Sequence, residues 1–125
     1  MKTALAPLLN VNEGAAAVAF YQAAFGAKVL SMITEGGVVA NLSIDGAEFW
    51  LADASPEHQN PSPAQLGGST VRLVLIVDDP DAMFAQAMAA GAREVWPVED
   101  QHYGWRMGRV VDPFGHHWEL GKTLR

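Results

Sequence analysis

The chain repeats itself once, and that repeat limits the folds open to it. "VNEGAAAVAFYQAAFGAKV" at 11–29 aligns with "VDDPDAMFAQAMAAGAREV" at 77–95. In each copy an apolar strand ends in valine and a capping residue follows, Asn12 in the first and Asp78 or Asp79 in the second. Pro80 suits a first helical turn, where its missing N–H has no partner to lose. Val18, Tyr21 and Phe25 mark the buried stripe of the first helix, and Phe84, Ala87, Met88 and Gly91 that of the second. Gly26 and Gly91 fit helix C-termini. Farther on, "IDGAEFWLAD" at 44–53 parallels "PFGHHWELGK" at 113–122, with Gly46 over Gly115 in a turn before a short strand. The stretch "ASPEHQNPSPAQLGG" at 54–68, with three prolines and two glycines, reads as a linker. The expected fold is α+β: two paired β-α-β-β-β modules, about 4–53 and 69–122, in a single domain 1–125. They should form a cupped mixed sheet with helices on its outer face, around one cavity. Two copies are too few for a solenoid.

Side chains alternate between the faces of a strand. In strand 71–77 one face carries Val71, Leu73, Leu75 and Val77, the other Arg72, Val74 and Ile76. In 4–11, Leu5, Pro7, Leu9 and Val11 oppose Ala6, Leu8 and Asn10. In 47–52, Phe49 and Leu51 oppose Glu48 and Trp50; in 116–121, Trp118 and Leu120 oppose His117 and Glu119. The apolar faces should pack under the helices. The mixed faces supply a candidate pocket lining: Leu8, Glu48, Trp50, Arg72, Val74, His117 and Glu119. Apolar bulk with a few polar groups is the composition of a small-molecule site.

Composition excludes several classes. The 125 residues are 50% apolar and 18% charged, as in a folded domain rather than a disordered chain. There is no cysteine, so disulfides, thiolate metal sites and a thiol nucleophile are out, and a reducing compartment, the cytoplasm, is the expected location. The net charge is −6 and the basic residues do not cluster, so no nucleic-acid partner is expected. No apolar run is long enough to span a membrane, and MKTALAPLLNV, broken by Pro7 and Asn10, reads as a strand rather than a signal peptide. No GxGxxG, GxxxxGK[ST] or GxSxG motif occurs.

The paired modules and the closing "DPFGHHWEL" resemble the vicinal oxygen chelate superfamily, which includes glyoxalase I, extradiol dioxygenases and the fosfomycin- and bleomycin-resistance proteins. "VEDQHYGWRMGRVVDPFGHHWEL" at 98–120 is especially similar to the PhnB-like branch. The resemblance implies a cup often completed by a homodimer. In metal-dependent members it places one ligand on the first and one on the last strand of each module. Those positions are Ala6 and Arg72, five residues before the strand-ending valines, and Trp50 and Glu119, four after the turn glycines. Only Glu119 is a ligand type. A catalytic divalent site usually has three protein ligands, so no metal or other cofactor is expected. A reduced site of His117 and Glu119 is the metal alternative.

Two roles for Glu119 stay open. It is a pocket carboxylate, acting as general base or as an anchor for a cationic ligand, or it closes an ion pair with Arg72 inside the sheet, unless Arg72 instead holds a carboxylate or phosphate bidentately. Trp50 can stack a flat ligand. The loop "EDQHYGWR" at 99–106 gathers His102, Tyr103 and Trp105 into an aromatic rim. His116 should point away from His117, as a hydrogen-bonded turn histidine, and His58 is assigned nothing. The expected function is metal-independent binding of a small aromatic or cationic compound. The alternatives are a lyase- or dioxygenase-type enzyme built on Glu119 and His117, and a ligandless dimeric module.

Overall fold

The computed structural model describes all 125 residues. The first module runs β1 (Leu8–Val11), α1 (Gly14–Phe25), β2 (Lys28–Ile33), β3 (Val39–Ile44) and β4 (Ala47–Asp53). After a short helix α2 (Pro63–Leu66), the second runs β5 (Arg72–Ile76), α3 (Pro80–Ala90), β6 (Arg93–Asp100), β7 (Trp105–Val111) and β8 (His117–Thr123). This is the α+β fold of two β-α-β-β-β modules that the repeat predicts. Each module makes a four-stranded mixed sheet, ordered β1-β4-β3-β2 and β5-β8-β7-β6. The β1/β4 and β5/β8 pairs are parallel and the others antiparallel. No helix is long and apolar enough to cross a membrane.

Several local expectations need correction. The strand expected from 4 begins at Leu8. Pro7 has no N–H to give, and only its carbonyl joins the ladder, accepting from Trp50 N at 2.8 Å. Leu5 therefore lies exposed outside its strand, and Val71, just before β5, is exposed as well. Asn12 does not cap α1. Asp53, at the end of β4, does so from a distance, its carboxylate accepting from Gly14 N at 2.6 Å and Val38 N at 2.8 Å. A Cβ on Gly14 would lie 2.5 Å from the Val38 Cβ and 2.7 Å from the Asp53 Oδ1, so only glycine lets this cap close. Asp79 caps α3 as expected, accepting from Ala82 N at 3.0 Å. The 54–68 segment is not featureless: Ser62 and Gln65 form a reciprocal capping box that starts α2.

Helix α1 buries Phe20 and Ala24 besides its expected stripe, because it packs on α3 as well as on β3 and β4. Helix α3 buries Ala87, but Met88 and Gly91 stay exposed, on a side that neither α1 nor the second sheet covers. One apolar core joins both modules. Its centre is Trp118, 3% exposed, whose ring lies 4.7 Å from Phe25 and 5.5 Å from both Tyr21 and Phe49. Below it, the buried Asp112 carboxylate organises the DPFG turn. Oδ1 accepts from Phe114 N and His116 N, each at 2.9 Å; Oδ2 accepts from Trp118 Nε1 at 2.9 Å and Tyr21 Oη at 2.5 Å. Burial first, then the Asp112 charge, pushes the Tyr21 phenol well above its ordinary pKa, so it remains a donor.

Candidate functional site

The helices cover one face of each sheet and leave the other open. On the second sheet, strand register decides what that open face holds. Arg72 lies opposite His117 and Val74 opposite Glu119 across β5/β8; Arg109 lies opposite Glu119 and Val111 opposite His117 across β7/β8; Trp96 lies opposite Arg109 across β6/β7. Directly opposed residues share a face. Arg72, Val74, His117 and Glu119 thus come together as their alternation predicts, with Leu75, Trp118 and Leu120 buried on the reverse side.

The expected Arg72–Glu119 pair exists but is the lesser of two. Glu119 Oε2 accepts from Arg109 Nη2 at 3.0 Å and lies 3.4 Å from Arg72 Nη1. The Glu119 and Arg109 side chains are 14% and 18% exposed, whereas that of Arg72 is 58% exposed. The reading of a single buried pair therefore gives way to one carboxylate between two guanidiniums. Sequence reasoning missed Arg109, since "WRMGRVV" matches no motif. Its own alternation, with Trp105, Met107, Arg109 and Val111 on one side, was the available signal.

His117 sits half-buried beside this cluster, and neither its Nδ1 nor the Arg109 Nε has a hydrogen-bond partner. Burial, then the Arg109 charge, holds the imidazole below its ordinary 6.5. The neutral ring therefore contributes stability that is complete above the unfolded value of 6.5 and is lost as pH falls through the lower folded value. An NMR titration of the histidine ring protons should show His117 titrating below 6.5. Titration of His117 at or above 6.5 would contradict this environment. His116 points the other way, its Nε2 lying 2.8 Å from Asn10 O, which ties the DPFG turn to β1.

Beside Arg109 opens a cavity of about 270 Å³, walled by Trp96, Glu99, Gln101, Met107, Arg109 and Glu119 among others. The expected rim residues do not form this wall. The 99–106 segment is a tight hairpin end, with Gln101 N donating to Trp105 O at 2.7 Å and Gly104 N to Gln101 O at 3.1 Å. His102 and Tyr103 lie against each other on its exposed tip, 5.2 Å between ring centroids. Gln101 and Trp96 take the place expected of His102, Tyr103 and Trp105.

Leu8, Glu48 and Trp50 lie on the other sheet. Leu8 opposes Trp50, Trp50 opposes Asn41, and Asn41 Nδ2 donates to Glu48 Oε1 at 3.2 Å. None of the three reaches the cavity at Arg109. Leu8 opens instead into a cleft of about 760 Å³ between β1, β5 and α2, with Leu66, Val71, Leu73 and His116. The single cavity expected of both mixed faces is thus not closed within one chain. The common core draws the helix-bearing faces together, so the open faces have no cover of their own.

This architecture has a match in sequence: residues 4–120 fit the family model of the glyoxalase/bleomycin resistance protein/dioxygenase superfamily. The chain belongs to that superfamily. An uncharacterized protein of Mycobacterium tuberculosis is 41% identical over 131 residues, covering 100% of this chain and 77% of that protein. The X-ray structure of an Arabidopsis thaliana gene product is 31% identical with a TM-score of 0.78, covering 98% of this chain and 100% of that one. TioX from Micromonospora sp. ML1 is 26% identical with a TM-score of 0.74, covering 96% of this chain and 95% of that one.

The superfamily's metal-dependent members raise the question of a divalent ion. Of the four positions that correspond to their ligands, Ala6, Trp50 and Arg72 cannot coordinate a metal. Glu119, the fourth, already meets two guanidiniums. No three His, Asp or Glu side chains converge anywhere in the chain. This donor set does not fit a divalent cation, whose charge the two arginines would oppose.

Proposed function

We propose that this superfamily member, of its PhnB-like branch, binds a small molecule in the cytoplasm without a resident metal, as a homodimer whose second copy covers the open sheet faces. The observation that carries this reading is the open face of the second sheet. There Val74, Ile76 and Trp96 stay exposed beside a polar cluster and a cavity. The first sheet leaves Leu8 and Ile33 exposed in the same way. Exposed apolar side chains gathered on two faces favour a covering partner over open solvent. A second copy meets that need with the surfaces the chain already carries.

Tryptophan fluorescence tests the reading. Trp96 is exposed and Trp50 and Trp105 half-buried, while Trp118 is shielded. A panel of flat aromatic compounds should give a saturable emission change with at least one member. Light scattering should give a particle mass of twice the 13.4 kDa chain. No saturable change across the panel, with a monomeric particle, would leave the reading without support.

A further inference from the structure

The chain carries a net charge of −6, yet its open second-sheet face is locally cationic. Three of the five arginines, Arg72, Arg93 and Arg109, lie on it. Register puts Arg93 opposite Val111 and so next to His117, whose ionisation its charge opposes. Against these three stand two carboxylates, Glu119 and the cavity-wall Glu99. His117 is neutral at pH 7, so one positive charge is left over. Glu119 cannot absorb it, because its Oε2 is already shared between Arg109 and Arg72. Each guanidinium has five N–H donors in a planar fork. One Arg109 nitrogen and one Arg72 nitrogen face Glu119, and Arg72 remains open to solvent at the edge strand. The adjoining cavity offers Trp96, Pro97 and Met107 as apolar contacts among its polar lining.

We infer that this face recognises an oxyanion: Arg109 and Arg72 take the carboxylate or phosphate group of a ligand whose flat apolar body lies against Trp96 and Met107. The inference rests on the small-molecule reading above and names its ligand class. Two arginines poised around one carboxylate match oxyanion geometry bidentately, which an ammonium or an amide cannot exploit. The volume of about 270 Å³ suits a one- or two-ring body rather than a large natural product. Glu119 acts as a positioning residue, holding both guanidiniums in place before the ligand arrives. The cavity wall itself sets Glu99 and Glu119 against Arg109, so the preference for an anion is set at the Arg109–Arg72 edge of the face.

Calorimetric titration with four matched probes decides the matter: 1-naphthoate, 1-naphthyl phosphate, 1-naphthamide and 1-naphthylmethylammonium, in low-salt buffer at pH 7. At least one anionic probe should bind about tenfold or more tighter than the neutral amide, and the ammonium weakest. The two anions distinguish a carboxylate from a phosphate site. Arg109→Met and Arg72→Met should each erase most of that preference, read as the ratio of anion to amide affinity in the same variant. Arg72, largely exposed, carries the test should Arg109→Met fail to fold. Equal binding of amide and anions would overturn the oxyanion assignment and leave the small-molecule reading standing. An anion preference unchanged in both variants would also overturn it. Binding of none of the four would overturn the assignment and count against the small-molecule reading as well.

Discussion

Asp112→Ala should cost about 4 kcal/mol or more of folding stability, read as a lowered urea midpoint with an unchanged slope. The carboxylate is buried and accepts four hydrogen bonds: two from the backbone of its own turn, one from Trp118 and one from Tyr21. Alanine removes every acceptor and leaves four donors behind. A buried donor without a partner costs about 1–3 kcal/mol, and water entering the small gap recovers only part of that. The backbone share of the loss falls on the turn that launches β8, so Glu119 and His117 should lose their placement too. A loss under about 1 kcal/mol would mean that the four donors find other partners, and that Asp112 does not organise the turn.

Trp118→Ala should cost about 5 kcal/mol, the largest single effect expected in the chain. The ring is 3% exposed and packs on Phe25, Tyr21 and Phe49, so its removal opens a void where the two modules meet. It also deprives Asp112 of one donor. Trp118→Phe keeps an aromatic filling and should lose roughly half as much. The two sites touch, so Asp112→Ala and Trp118→Ala should not add: the double variant should lose less than the sum by about 1 kcal/mol or more. Chemical denaturation of the two single variants and the double, analysed as a mutant cycle, checks this. Strict additivity would separate the turn from the core.

Much of the site was legible in the order of residues. Period-two alternation put Arg72 and Val74 on one face of β5, and His117 and Glu119 on one face of β8, because side chains of a strand alternate whatever its neighbours are. The same rule sent His116 the other way. The DPFG turn announced itself through Pro113 and Gly115, the latter at φ +90°. Arg109 was not legible in this way. It lies ten residues from Glu119 along the chain, and only the register of β7 on β8 brings the two together. Asp53 as the cap of α1 and Tyr21 as a donor to Asp112, 91 residues away, are of the same kind.

The repeat, the helix ends and the faces of each strand follow from local rules: backbone geometry makes side chains recur every two or 3.6 residues, and glycine and proline punctuate them. Partnership between distant residues does not follow from such rules. It depends on how the strands slide against one another and on which apolar faces are buried together. Here the core around Trp118 settled both, because burying the helix-bearing faces of both sheets removes the most apolar surface from water. With those faces joined, the mixed faces that the sequence placed around one cavity were left apart and open. The ion pair read as Arg72–Glu119 became a carboxylate shared with Arg109.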